Sequence, residues 1–229
     1  MTGSGLLLSL WCTLVRPFVS PAYLTGIAKL WGRISIAAIR ICCNIHIKTE
    51  GLENLPTTGG AIIAAQHQSE LDFLTWLALL PHPAFVFKIE LRKIPLLGPL
   101  LTPAGMIVVD RSGKAAALRK LLADCQSALA EGRQIIIFPE GTRVAPGEQV
   151  PLQPGIAGIA KTTHAPIIPA STNSGNVWRR EAFTKFPGTV TLKIHPPLPP
   201  NLPRDELMTR LHTVFYEHSA ISPDETGKV

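Results

Sequence analysis

From Gly51 onward, short strand-like runs, most of them apolar, alternate with helix-like segments, and this alternation most limits what the chain can become. The runs are 61–65, 84–87, 106–109, 134–138, 167–170 and 189–194. Strands that are apolar throughout are buried on both faces, and helices alternating with them supply the cover. The expected fold is therefore α/β, a largely parallel central sheet flanked by helices. The helix-like segments are 70–80, 114–130, 155–163 and 204–218. Ser112 is placed to cap the second and Gly132 to end it. The proline-rich stretch 196–203 reads as an extended connector.

A chain of 229 residues suits one domain with a real core. Hydrophobic residues make up 46% and charged residues only 17%, below the usual quarter, so disorder is expected only at 222–229. The net charge of +6 is unevenly placed. Residues 1–49 hold Arg16, Lys29, Arg33, Arg40 and Lys48 with no Asp or Glu, a balance of +5, leaving the rest of the chain near neutral. A nucleic-acid-binding domain would spread its positive charge over its binding surface, so that class is excluded. A basic segment beside a neutral body fits an anionic membrane surface instead. The cysteines Cys12, Cys42, Cys43 and Cys125 form no CxxC pair, so neither a disulfide framework nor a zinc site is expected.

The basic segment is also apolar. The run 5–15 stops at Arg16-Pro17 and is shorter than the roughly 20 residues a bilayer span needs. A longer stretch, 23–47, wound as a helix, brings Lys29, Arg33 and Arg40 within about 40° of one another on an otherwise apolar cylinder. Such a helix can lie in the membrane interface, or pack on the main body with its charges solvated. The expected division is a membrane-associating helical segment over 1–49 and an α/β domain over 50–229.

Three polar clusters follow apolar runs. His67 and Asp72, in Gln66-His67-Gln68-Ser69-Glu70-Leu71-Asp72, follow the first run of the body. Arg111 follows the run ending at Val109, and Phe138-Pro139-Glu140-Gly141-Thr142-Arg143 follows the run beginning at Gln134. Ligands of open α/β sheets bind at the carboxyl ends of strands, so parallel strands would gather these clusters on one rim. Histidine suits proton transfer near neutrality, and a carboxylate can fix its tautomer. On one continuous helix His67 and Asp72 would diverge by about 140°. They can meet only if the helix starts between them, with Ser69 as N-cap and Asp72 at the third helical position. Asp72 could equally serve only to close the helix start. Gly141 and Thr142 can offer backbone N–H groups, and Arg143 suits a phosphate, or an ion pair with Glu140. Arg111 is a second phosphate candidate, and Lys88, at the end of another run, a third. Ser69 reads as a cap and Cys125 falls inside a helix, so neither is taken as a nucleophile.

His67-to-Asp72, 105–111, Phe138-to-Arg143 and a proline-bearing run around Ile167-Ile168-Pro169 occur in that order, and together they resemble the glycerolipid acyltransferase family. The resemblance covers roughly residues 50–200. It implies a glycerol-phosphate acyltransferase-like fold and transfer of a fatty acyl chain from acyl-CoA or acyl-carrier protein to lysophosphatidate, giving phosphatidate for phospholipid synthesis. It implies His67 as general base, Asp72 as its orienter, and Arg111, Glu140 and Arg143 as holders of the glycerol phosphate, with Gly141 and Thr142 lining the site. It implies no metal and no cofactor beyond the donor, and a monotopic position at the cytoplasmic face of the inner membrane. The chain departs from the family pattern at Val144, where a serine is common, and at Gln153, where a lysine often precedes the glycine. Another lyso-lipid acceptor, such as a lyso-ornithine lipid, would share these motifs. A thioesterase or lipid hydrolase with the same dyad, or a non-catalytic lipid-binding protein, is the competing class.

Overall fold

A computed structural model describes residues 3–15, 18–94, 98–110 and 113–217. Two helices come first, α1 (Gly3–Val15) and α2 (Pro21–Cys43). Ser20 caps α2 by accepting from the Tyr23 N–H, and Pro21 stands where a helix needs no donor. The body then runs β1 (Ile45–Glu50), β2 (Ala61–Ala65), α3 (Glu70–Leu79), β3 (Pro83–Lys88), α4 (Gly98–Leu101), β4 (Ile107–Val109), α5 (Lys114–Ala130), β5 (Gln134–Ile137), α6 (Gly155–Thr163), β6 (Ile167–Thr172), β7 (Gly188–Ile194) and α7 (Arg204–Tyr216).

The seven strands form one sheet in the order β1-β7-β6-β2-β5-β3-β4. Every neighbouring pair is parallel except β6 and β7. The largely parallel sheet read from the apolar runs is therefore present. Its central strands β2 and β5 are almost entirely apolar because both faces are covered. Ile62, Ala64, Ile135 and Ile137 pack with Cys125 of α5, Ile156 of α6, and Leu211 and Phe215 of α7. Ala61, Ile63, Ala65 and Ile136 point the other way, onto Trp76 and Leu77 of α3 and the partly buried Ala28 and Trp31 of α2. Alternate residues of one strand thus feed two cores.

Gly132 ends α5 as read. At φ 71° it donates to the Leu129 carbonyl while Arg133 N–H reaches the Ala128 carbonyl, the paired bonds of a Schellman motif. Ser112, the expected cap of that helix, lies outside the described residues, as does His218 at the expected end of α7.

The short helix α4 was not expected, and the junction of α2 with β1 differs from the sequence reading. The second helix was expected to reach Ile47 and ends at Cys43, with Asn44 in the left-handed region at φ 51°. Residues Ile45–Glu50 turn instead into β1, an edge strand pairing with β7, so the expected boundary at 49 falls inside a strand of the sheet. The physical reason is a change of period: Ile45 and Ile47 alternate with His46 and Lys48, which suits a strand. Placed directly after an apolar helix, that alternation is hidden.

Helix α2 packs one face on the body, where Lys29 Nζ donates to the Pro81 carbonyl. Its opposite face is open, with Leu30, Ile34 and Ile41 exposed at 56%, 59% and 82%, next to exposed Arg33 and Arg40. Among the described residues no helix is long and apolar enough to cross a membrane.

Candidate active site

The register of β2 and β5 brings two distant motifs together. Ala64 pairs with Ile137, so His67 and Glu140 each stand three residues past the same rung. His67 N–H donates to Glu140 Oε2 at 2.6 Å, and Val144 N–H donates back to the His67 carbonyl at 2.8 Å. The His67 ring stacks on Phe138, centroids 4.1 Å apart and planes 18° apart. Val144 gives His67 a backbone donor while its side chain is buried, so this bond asks nothing of the residue type at 144.

Helix α3 starts at Glu70 with Ser69 as N-cap in extended geometry. The Ser69 hydroxyl accepts from Leu71 N–H, and Asp72 closes the capping box from the third helical position. His67 thus stands before the helix and Asp72 in its first turn. Asp72 Oδ2 accepts from Gln68 N–H and Ser69 N–H, both at 2.8 Å, and lies 3.0 Å from His67 Nδ1. The two readings of Asp72, helix closer and histidine partner, are therefore one arrangement on one oxygen. A carboxylate oxygen already accepting two backbone N–H groups acts as acceptor toward the ring as well. That places the imidazole proton on Nδ1 and leaves Nε2 as the basic nitrogen. The His67 side chain is 19% exposed, against 3% for Asp72.

The Phe138-to-Arg143 turn is held by Gly141, whose φ of 70° favours a residue without Cβ. Gly141 N–H donates to the Phe138 carbonyl, so this N–H, expected to be exposed toward a ligand, closes the turn. Glu140 also differs from expectation. It is buried, and its other oxygen, Oε1, accepts from the Tyr216 hydroxyl at 2.9 Å. Both oxygens are engaged by protein donors, and a carboxylate offers a phosphate no donor, so Glu140 here ties His67 to α7. Burial pushes its carboxyl up to about 7, helped by nearby Asp72 and opposed by the two donors. Burial and Glu140 in turn push the Tyr216 phenol up.

Arg143 pairs with Glu70 of α3, not with Glu140. Its guanidinium is partly buried, and burial together with the neighbouring Arg180 lowers its affinity for the proton. Arg180 was not singled out in the sequence. It lies between β6 and β7, and its Nη1 donates to Thr142 Oγ1 at 3.4 Å. Tyr216 also escaped, because nothing near it in sequence marks it; for Arg180 the signal was the pair Arg179-Arg180 following the proline-bearing strand. Lys88 is exposed at the carboxyl end of β3, one strand beyond β5, on the same rim. Arg111 lies outside the described residues, after β4. Among the described residues no three His, Cys, Asp or Glu side chains gather as a metal-binding group. Cys125 is fully buried and its thiol is pushed up to about 12, far from a reactive thiolate.

Residues 46–173, which carry the whole His67–Arg143 arrangement, match the family described as Acyltransferase. The chain belongs to the acyltransferase family. It is 30% identical over 170 residues to a 1-acyl-sn-glycerol-3-phosphate acyltransferase of Pseudomonas aeruginosa, a stretch covering 74% of this chain and 66% of that protein. It is 34% identical over 175 residues to the enzyme of that name from Limnanthes douglasii, covering 75% and 61%. The matched stretch is thus a little under two thirds of these relatives' length. The crystal structure of a 1-acyl-sn-glycerophosphate acyltransferase from Thermotoga maritima superimposes with a TM-score of 0.71 at 25% identity, covering 93% of both chains. The acyltransferase fold accordingly extends beyond the matched motifs to β7 and α7.

Proposed function

We propose that the chain transfers a fatty acyl group from an acyl thioester to the free hydroxyl of lysophosphatidate, forming phosphatidate. The observation that carries this reading is the His67 Nδ1–Asp72 Oδ2 contact at 3.0 Å, on an oxygen that two backbone N–H groups already fix. His67 Nε2 takes the acceptor hydroxyl proton as its oxygen attacks the thioester carbonyl carbon. A placed base of this kind contributes on the order of 10²–10⁴ in rate. When the C–S bond breaks, the imidazolium returns the proton to the leaving thiolate. The Asp72 carboxylate stabilises the imidazolium meanwhile. The backbone N–H groups of Thr142 and Arg143, next to the turn at Gly141, are the candidate donors to the developing oxyanion. Arg143 supports an acceptor bearing a phosphate, since a guanidinium matches phosphate geometry. The donor is an acyl thioester of coenzyme A or of acyl-carrier protein.

The substrate and product are lipids, and α2 supports a site held at a bilayer surface. Its open face carries Leu30, Ile34 and Ile41 beside Arg33 and Arg40, an apolar stripe flanked by cations that suits the interface of an anionic membrane. The proposed location is monotopic, at the cytoplasmic face of the inner membrane.

The test is an assay of the full chain with acyl-CoA and with acyl-carrier protein, with and without lysophosphatidate, identifying the lipid by mass. Phosphatidate should form only with acceptor present and should disappear in His67→Ala. Fatty acid released equally without acceptor would make the chain a hydrolase, and product formation surviving in His67→Ala would remove the base.

A further inference from the structure

The segment between β6 and β7 is clasped to the histidine loop. Gly175 N–H donates to Gln68 Oε1 at 3.1 Å, one residue from His67. A Cβ on Gly175 would sit 2.9 Å from Pro146 and 3.1 Å from the Gln68 Cβ, so the backbone passes directly over the site's own loops. Beyond Gly175 the segment is internally braced. Trp178 Nε1 donates to the Ala182 carbonyl, Ala182 N–H closes a turn on the Arg179 carbonyl, and Lys185 Nζ lies 4.2 Å from the Trp178 ring centroid. Glu181, in the middle of that turn, is left-handed at φ 57°, a conformation a non-glycine residue holds at a cost.

This braced turn delivers Arg180 to the Phe138-to-Arg143 motif. Arg180 Nη1 reaches Thr142 Oγ1, and burial together with the Arg180 charge lowers Arg143's hold on its proton. Two guanidinium groups on one rim repel unless an anion lies between them. Each has a carboxylate of its own, Glu70 on Arg143 and Glu181 on Arg180, but Glu181 is 71% exposed and bonded to Arg180 Nε at 3.1 Å. An exposed pair of that kind is worth little and is readily exchanged. A phosphomonoester carries more charge than Glu181 and accepts from two guanidiniums at once.

We propose that Arg180 is a second headgroup-binding residue, forming with Arg143 a two-guanidinium clamp for a phosphomonoester. The clamp rests on the acyltransferase reading for its ligand, the acceptor's phosphate. The other source of the same chemistry is the donor's nucleotide phosphate.

The experiment uses the full chain as wild type, Arg180→Ala, Arg180→Lys and Glu181→Gln, with lysophosphatidate and acyl-CoA varied in turn. In Arg180→Ala the KM for lysophosphatidate should rise about tenfold or more, as expected for a lost charge-assisted bond, with the KM for acyl-CoA unchanged. Arg180→Lys should recover part of the loss. Glu181→Gln, which removes the competing carboxylate, should lower the acceptor KM, a change a purely structural arginine would not produce. In parallel, titration with sn-glycerol 3-phosphate, without turnover, should show weaker binding in Arg180→Ala. An unchanged acceptor KM, a rise in the acyl-CoA KM in its place, or an inactive Arg180→Ala that binds sn-glycerol 3-phosphate like wild type would overturn the clamp. If the wild type does not acylate lysophosphatidate, the functional reading fails by itself, and the titration alone decides the clamp.

Discussion

Glu140 grips His67 by the main chain. One oxygen accepts the His67 N–H at 2.6 Å and the other the Tyr216 hydroxyl at 2.9 Å, so Tyr216, 76 positions downstream of Glu140, is linked to the histidine through one buried carboxylate. Tyr216 is the last residue of α7, and Gln66, on the other side of His67, donates to the Phe215 carbonyl of the same helix end. Helix α7 therefore braces the residue carrying the proposed proton transfer from two directions.

Replacing the phenol in Tyr216→Phe leaves a buried carboxylate oxygen without its donor. The expected loss is about 1–3 kcal/mol of stability. Urea unfolding checks it, and a midpoint equal to wild type would show that the link carries no load.

The raised Glu140 carboxyl has a definite signature in pH. A group whose folded pKa lies above its unfolded value stabilises the fold when protonated and ceases to as pH rises through the folded pKa. For Glu140 the ordinary value is 4.5 and the folded value about 7, so its contribution is fully present below 4.5 and lost above 7. In Glu140→Gln the amide oxygen can accept from His67 N–H while its NH₂ donates to the Tyr216 oxygen, so both contacts can persist without titration. The difference in thermal midpoint between pH 4.5 and pH 7.5 should be more favourable to the higher pH in Glu140→Gln than in wild type. Identical pH profiles would place the Glu140 titration elsewhere.

Asp72 serves the helix and the imidazole through a single oxygen, and the two services can be separated. Asp72→Asn keeps an oxygen for the Gln68 and Ser69 N–H groups but removes the negative charge beside Nδ1. Turnover should fall on the order of 10²–10⁴ with stability little changed. Asp72→Ala should lose turnover and also about 1 kcal/mol or more from the uncapped helix start. Measuring kcat with the unfolding midpoint separates them, and equal turnover in Asp72→Asn and wild type would reduce Asp72 to a cap.

The open stripe of α2 can be changed without touching the core. Leu30→Asp combined with Ile41→Asp should weaken sedimentation with anionic vesicles about tenfold or more, since each buried leucine-sized side chain contributes roughly 1.5–3 kcal/mol. The thermal midpoint in detergent-free buffer should hold, because both positions are exposed in the protein itself. Unaltered vesicle binding would move the membrane contact away from α2.

The α/β sheet was legible in the chain because its central strands are buried on both faces. A residue such as Ile63 can be nothing but apolar when both layers close over it, so 61–65 and 135–137 appear as unbroken runs. The start of α3 was legible too, because capping is local: Ser69 and Asp72 sit three positions apart, and that spacing alone requires His67 to stand outside the helix. What lay hidden was either ambiguous in period or remote in sequence. β1 follows an apolar helix directly, where six residues are too few to separate the two periodicities. Glu140 sits in a motif that marks it as important, yet whether its carboxylate faces a ligand or the interior depends on the end of α7 arriving above β5. Arg143 could be matched to a carboxylate by charge, but that it meets Glu70 and Arg180 follows from β2 lying between β5 and β6 at the centre of the sheet. Capping, burial and charge are properties of neighbours along the chain or of a strand's two faces. The partner of a side chain is a property of which strand ends the topology sets side by side.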